Sequence, residues 1–170
     1  MIYALDVQYH NNQNALVACI GFEKWDDDIA TYSKTAYIDS IEPYQAGSFY
    51  KRELPCLLVA LEGLEDIECI IVDGYVWLGD ENHAGLGMHL YNALDRAIPI
   101  IGVAKSKFID TPSRCELMRG ESKKPLFITS VGVELDIAKE AIASMSGKYR
   151  LPTLLKEVDR VCRESIRILI

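Results

Sequence analysis

Two aspartates in this chain of 170 residues close short apolar runs. Asp6 ends the apolar part of IYALD, and Asp73 follows CIIV with Gly74 directly after it. A third carboxylate, Glu53, lies between them in sequence, at the front of a segment with helical apolar spacing. If the strand carrying Asp73 runs parallel beside the strand carrying Asp6, both side chains emerge at one sheet edge. A right-handed crossover then returns the start of the intervening helix to that same end. Three carboxylates held together repel, and such a cluster persists only by sharing protons or cations. Oxygen-only clusters suit hard divalent ions, Mg²⁺ above all, or Mn²⁺. Such ions activate water and stabilise both oxygens of a phosphodiester displacement. Each residue also has an ordinary reading. Asp-Gly is a common turn dipeptide, and a Glu in the first turn of a helix suits the helix dipole.

The elements that must position these groups can be read from periodicity. Residues 2–9 alternate around β-branched and aromatic side chains and predict a strand. The Asn-rich turn HNNQN follows, then a strand over ALVACIGF (residues 15–22), an acidic turn at 26–28 and a third strand over 30–38. Short turns between them predict an antiparallel meander. Residues 49–63 carry Leu54, Leu57, Leu58 and Leu61 at helical spacing, with Gly63 as the stop; Pro55 is acceptable only near the helix start. CIIV and PIIGVA read as strands buried on both faces, separated by a Gly/Asp/Asn-rich loop and a helix over about 86–96. KPLFITSV predicts another strand, and helices follow over 134–145 and 153–167. The pattern is βββαβαβ, an irregular stretch, then β, α, α: one mixed α/β domain over residues 1–170.

Composition narrows the class. With 49% hydrophobic and 25% charged residues the chain is neither disordered nor low-complexity. No apolar run reaches membrane-spanning length, and MIYALDVQYH has no basic start or long apolar stretch of a signal peptide. The expectation is a cytoplasmic protein. The five cysteines form no CxxC pair and read as reduced, buried small residues rather than a zinc site. A net charge of −7 argues against coating nucleic acid by bulk charge. Yet Lys105, Lys107, Arg114, Arg119, Lys123 and Lys124 make residues 105–124 net basic within an acidic chain.

Five blocks, in order, resemble endonuclease V. PYQAGSFYKRELPCLL (43–58) is similar to the PY-x-x-G…RE-x-P segment of that family, and IIVDG (70–74) to its V-D-G motif. IGVAKS (101–106) is similar to its lysine motif, and KPLFITSVG (124–132) and KYRLP (148–152) to its last two blocks. The resemblance implies a ribonuclease H-like fold and metal-dependent cleavage of a phosphodiester near deaminated adenine (inosine) in DNA or RNA, as in DNA repair. It assigns Asp6, Glu53 and Asp73 to metal and Lys105 to the phosphate or attacking water. It makes Tyr44 a wedge ring where the damaged base has left the helix, and Gly47 and Gly74 sites of close backbone approach to that base.

The chain also departs from the family pattern. The segment after Gly74 is rebuilt as YVWLGDENH, with Asp80 and Glu81 and without the family's His-Pro-Arg stretch. Acidic residues there should weaken nucleic-acid binding. Ala46 replaces a proline, and the family's S-x-G-H motif, whose His the resemblance makes a catalytic or metal-side residue, ends in Val133, which neither ligates metal nor moves a proton, so much of the activity is expected to be lost. His83, in the rebuilt loop, is a candidate for spatial substitution; His89 reads as packed on its helix, His10 as a surface turn residue and Trp77 as packing. Three readings follow: a nuclease of the endonuclease V type; an inactive homologue that binds nucleic acid or protein; and a ribonuclease H-like enzyme with another nucleotide substrate.

Overall fold

Alternation along the first strand decides how the core is divided. The computed structural model describes residues 1–10, 13–43, 45–79 and 83–168, the last by its backbone alone. In β1 (Ile2–His10), Ile2 and Ala4 enter one half of the core, while Tyr3, Leu5 and Val7 enter the other, as the strand period of two requires. The turn read at HNNQN includes Asn11 and Asn12, which lie outside the described residues.

β2 (Asn14–Phe22) and β3 (Tyr32–Ile38) complete the antiparallel meander. β4 (Cys69–Asp73) and β5 (Ile100–Ala104) then run parallel to β1, buried on both faces as their unbroken apolar runs indicate. β7 (Leu126–Val131) returns antiparallel beside β5, with the two-residue β6 (Glu116–Leu117) at its edge. Among the described residues the sheet has seven strands in the order β3-β2-β1-β4-β5-β7-β6.

Helices cover both faces. α1 (Tyr50–Leu61) and α2 (Leu86–Ala93) bury Cys56, Leu57, Ala60 and Leu90 against Leu5, Val17 and Ile70. α3 (Leu135–Ser144) and α4 (Thr153–Ile168) bury Ile142, Leu155, Val158 and Cys162 against Ala4, Leu16 and Ile71. Pro55 lies farther inside α1 than its missing N–H would predict. It stands on the exposed side, where water replaces the lost donor. Glu53 still falls in the first turn. The five cysteines are free and buried. No helix among the described residues is long and apolar enough to cross a membrane.

Two contacts seat the last helix. The Cys162 thiol donates to the carbonyls of Leu16, at 3.1 Å, and Asp6, at 3.4 Å, which lays α4 along β1 and β2. Buried Arg119, in the basic 105–124 stretch, donates to the carbonyls of Met145, Tyr149 and Ser146 and ties that stretch to the α3–α4 loop.

Leu57 couples α1, and so Glu53, to the sheet. It is fully buried, so Leu57→Ala should lower the unfolding free energy by about 3 kcal/mol. Urea denaturation would register this as a lower midpoint at unchanged slope.

Candidate active site

Strand register brings Asp6 and Asp73 to the same edge. Leu5 pairs with Val72 in the parallel β1–β4 ladder, so the two aspartates are the next residues on neighbouring strands. Asp73 in turn pairs with Val103 of β5, and Lys105 stands two residues beyond. The period of two does more. Ala4, Ile71 and Val103 face α3 and α4, so Asp6, Asp73 and Lys105, each two residues further on, turn to that same side. α4 brings a fourth group there, for Asp159 lines one cleft with Asp6, Asp73 and Lys105. Glu53 arrives from the opposite helical layer and shares a second, smaller cavity with Asp6 and Asp73.

The electrostatics follow from crowding and burial. Burial first, then the charges of Asp73 and Asp159, push Asp6 up to about 6, against the pull of Gln8 and Lys105. The Gln8 amide donates to Asp6 Oδ2 at 3.3 Å. Glu53 is pushed up to about 8, chiefly by burial and then by Asp6 and Asp73, while Tyr9 and Arg52 pull it down. The Tyr9 hydroxyl is close enough to act on Glu53 but outside normal hydrogen-bond geometry. Arg52 lies over the Tyr9 ring, 4.4 Å from its centroid. Lys105 Nζ donates to Asp73 Oδ2 at 2.7 Å. Burial lowers the Lys105 pKa, but the bond to Asp73 and the charges of Asp73, Asp159 and Asp6 outweigh it, and the net shift is upward.

Two side chains hold the Lys105 segment. Arg150 Nη1 donates to the carbonyls of Lys105 and Pro125, each at 3.1 Å. The Tyr75 hydroxyl donates to the Ser106 carbonyl at 2.8 Å and accepts from the Phe108 amide at 3.0 Å. The ammonium is thus placed by its own backbone.

The donor set suits a hard cation. Its possible ligands at the cleft are carboxylate oxygens, and burial first, then neighbouring charge, disfavours the ionised forms of Asp6 and Glu53, a penalty that a divalent cation offsets as protons do. Among the described residues, no three His, Cys, Asp or Glu side chains stand close enough to enclose an ion, and Asp73 is engaged by Lys105.

The remaining residues singled out in the sequence divide clearly. Gly47 and Gly74 have φ of +76° and +144° with open space where a Cβ would stand, so backbone conformation selects glycine there. Tyr44, Asp80 and Glu81 lie outside the described residues. His89 stacks on Tyr50 with ring centroids 3.4 Å apart, a packed residue as read. Trp77 packs too, its indole N–H donating to the Ser130 carbonyl at 3.2 Å. His83 lines a separate cleft with Phe108, Ile109 and Asp110 and is no substitute at the carboxylates.

Val133 requires a correction. β7 is antiparallel to β5, and Val131 pairs with Ile100 at the start of that strand. Val133 therefore stands at the opposite end of the sheet from Asp73 and Lys105. A side chain there cannot reach the carboxylates, so valine at this position removes nothing from them. What sequence reasoning missed is Asp159. Its signal was present: Leu155, Val158, Cys162 and Ile166 form the buried face of α4, and Asp159 is a carboxylate on the flank of that face.

Comparison with known proteins places this architecture. The family model for endonuclease V matches residues 1–124. The endonuclease V of Nocardia farcinica is 30% identical over 145 residues, covering 74% of this chain and 63% of the relative, so the chain spans under two thirds of that relative's length. The structure of the Streptomyces avermitilis endonuclease V is 27% identical, with a TM-score of 0.76 over 99% of this chain and 82% of that one. The Ciona intestinalis endonuclease V, solved in complex with a 24mer DNA containing an inosine followed by a ribo-adenosine, is 17% identical, with a TM-score of 0.82 over 99% of this chain and 87% of that one. The fold is ribonuclease H-like.

The raised Glu53 pKa sets a pH dependence of stability. The folded chain binds this proton more tightly than the unfolded chain, whose Glu titrates near 4.3. The stabilisation is complete below that value and is lost as pH rises through about 8. Glu53→Gln should therefore be more stable than the parent at pH 9, by up to about 5 kcal/mol, and indistinguishable from it near pH 4. Thermal melts across that range would show the two curves diverging with rising pH.

Proposed function

This chain belongs to the endonuclease V family, and we propose on that footing that it is a divalent-metal-dependent endonuclease cleaving a phosphodiester near inosine in DNA or RNA. The observation that carries this reading is the gathering of Asp6, Asp73, Asp159 and Lys105 at one edge of the parallel strands, with Glu53 reaching the same aspartates from the other layer. Asp6, Glu53 and Asp73 would hold Mg²⁺ or Mn²⁺. Such a bound ion makes water a better nucleophile at neutral pH and offsets charge on the phosphoryl oxygens.

The chain's own groups supply the rest. Lys105, kept charged by its carboxylate neighbours, offers a positive point charge to a non-bridging oxygen of the scissile phosphate, where charge develops. Arg150 and Tyr75 fix its backbone, so little reorganisation is needed. Asp6 and Glu53 must shed their protons before binding a cation, so loading strengthens as pH rises from about 6 to about 8. Tyr44 is assigned the wedge role, and the backbones at Gly47 and Gly74 approach the displaced base.

The inactive-homologue reading drew on Val133, the rebuilt 75–83 loop and the net charge of −7; the position of Val133 removes the first of these supports.

Incubation of inosine-containing oligonucleotides with the chain and Mg²⁺ or Mn²⁺ should yield a cut strand. Asp73→Asn should lower kcat at least about 100-fold, and Lys105→Ala by about 10–1,000-fold, with folding intact by circular dichroism. Absence of product from the folded parent at enzyme excess, with either metal, would overturn the nuclease reading.

A further inference from the structure

A second cleft adjoins the carboxylate edge. Lys148, Tyr149, Arg150, Leu151 and Lys156 line it, together with Glu121. Leu151 also lines the cleft of Asp6, Asp73 and Lys105, so the two clefts adjoin at this residue. Its charge opposes that of the chain: two ammonium groups and a guanidinium face one carboxylate, in a protein whose net charge is −7. Lys123 and Lys124 are exposed on the same segment as Glu121. Exposed Tyr149 gathers the ammonium groups, with Lys156 Nζ 3.8 Å and Lys148 Nζ 5.3 Å from its ring centroid.

The walls are held before any ligand arrives. Arg119 ties the 116–120 segment to the Tyr149, Met145 and Ser146 carbonyls. A Cβ on Gly120 would meet the Lys148 carbonyl oxygen at 2.4 Å, so only glycine permits this approach. Arg150 spends Nη1 on the Lys105 carbonyl, which links the groove floor mechanically to the lysine of the active edge. Preformed cationic walls bind a polyanion with less ordering cost than free lysines do.

Resting on the reading of the carboxylate cleft as a phosphodiester site, we propose that this groove is a nucleic-acid backbone track, in which Lys148 and Lys156 bind phosphates of the strand flanking the scissile bond. Charge and proximity favour this occupant. The groove shares Leu151 with the cleft of Asp73 and Lys105, and its charge is complementary to phosphates in a chain whose net charge repels them.

The test is anisotropy of a labelled single-stranded oligonucleotide in EDTA, where no cleavage intervenes. Lys148→Ala/Lys156→Ala should bind about tenfold more weakly at 0.1 M salt, and the slope of log K against log salt should shrink by about 1.4, two contacts at about 0.7 each. Lys148→Arg/Lys156→Arg should retain the parent slope, which guards against a folding effect. Where the parent cleaves, kcat at saturation should stay unchanged in the alanine variant while KM rises. An unaltered salt slope, or no binding by the parent even at low salt, overturns the groove. A reduced slope in a protein that cuts no inosine substrate upholds the groove and removes the nuclease reading instead.

Discussion

Carboxylates crowded at the ends of adjacent parallel strands repel one another, and the arrangement of the site answers that repulsion. Asp6 cannot move away, because β1 is central in the sheet and α4 is fastened over it through Cys162. Asp73 is the next-strand neighbour by register. The charge is relieved in three ways: a raised proton affinity at Asp6 and Glu53, to which burial also contributes, the Lys105 ammonium against Asp73, and the Gln8 amide on Asp6. The Lys105–Asp73 pair is over a third exposed, so its contribution to stability is small. Its consequence is positional.

The division between the two helical layers explains the internal asymmetry of the site. Asp6, Asp73 and Lys105 share one face by strand alternation, so their natural companion is Asp159 of α4 on that face. Glu53 belongs to the α1 layer and meets the aspartates only where the sheet ends. A phosphodiester lying along the edge would therefore contact both layers, with Lys105 on the α4 side. The clamps on the Lys105 segment come from Arg150 in the α3–α4 loop and from Tyr75 in the loop after β4, so no single element determines where the ammonium stands.

Charge is distributed in the same directional way. An acidic chain repels nucleic acid at long range, yet the surface beside the carboxylate edge carries Lys148, Arg150 and Lys156 in one groove. Repulsion elsewhere and attraction there confine a polyanion to one path. Valine in place of the family histidine lies beyond that path, against the α3–α4 side of the core at the far end of the sheet.

The order of elements, the antiparallel meander, the two doubly buried strands and the amphipathic last helix were all legible in the sequence, because apolar periodicity and turn chemistry are local. Asp6, Glu53 and Asp73 stood out as candidates because each closes or opens a recognisable element, and Lys105 stood out through the family resemblance. Three things depended on the tertiary structure. Strand register decided that the two aspartates share a face, and a shift of one residue would have separated them. The antiparallel direction of β7 decided that Val133 is remote. Helix docking decided that Asp159, which on its own resembles a solvated charge paired with Arg163, stands beside Asp6. Each of these is a relation between segments distant along the chain, and no local pattern encodes the distance between them.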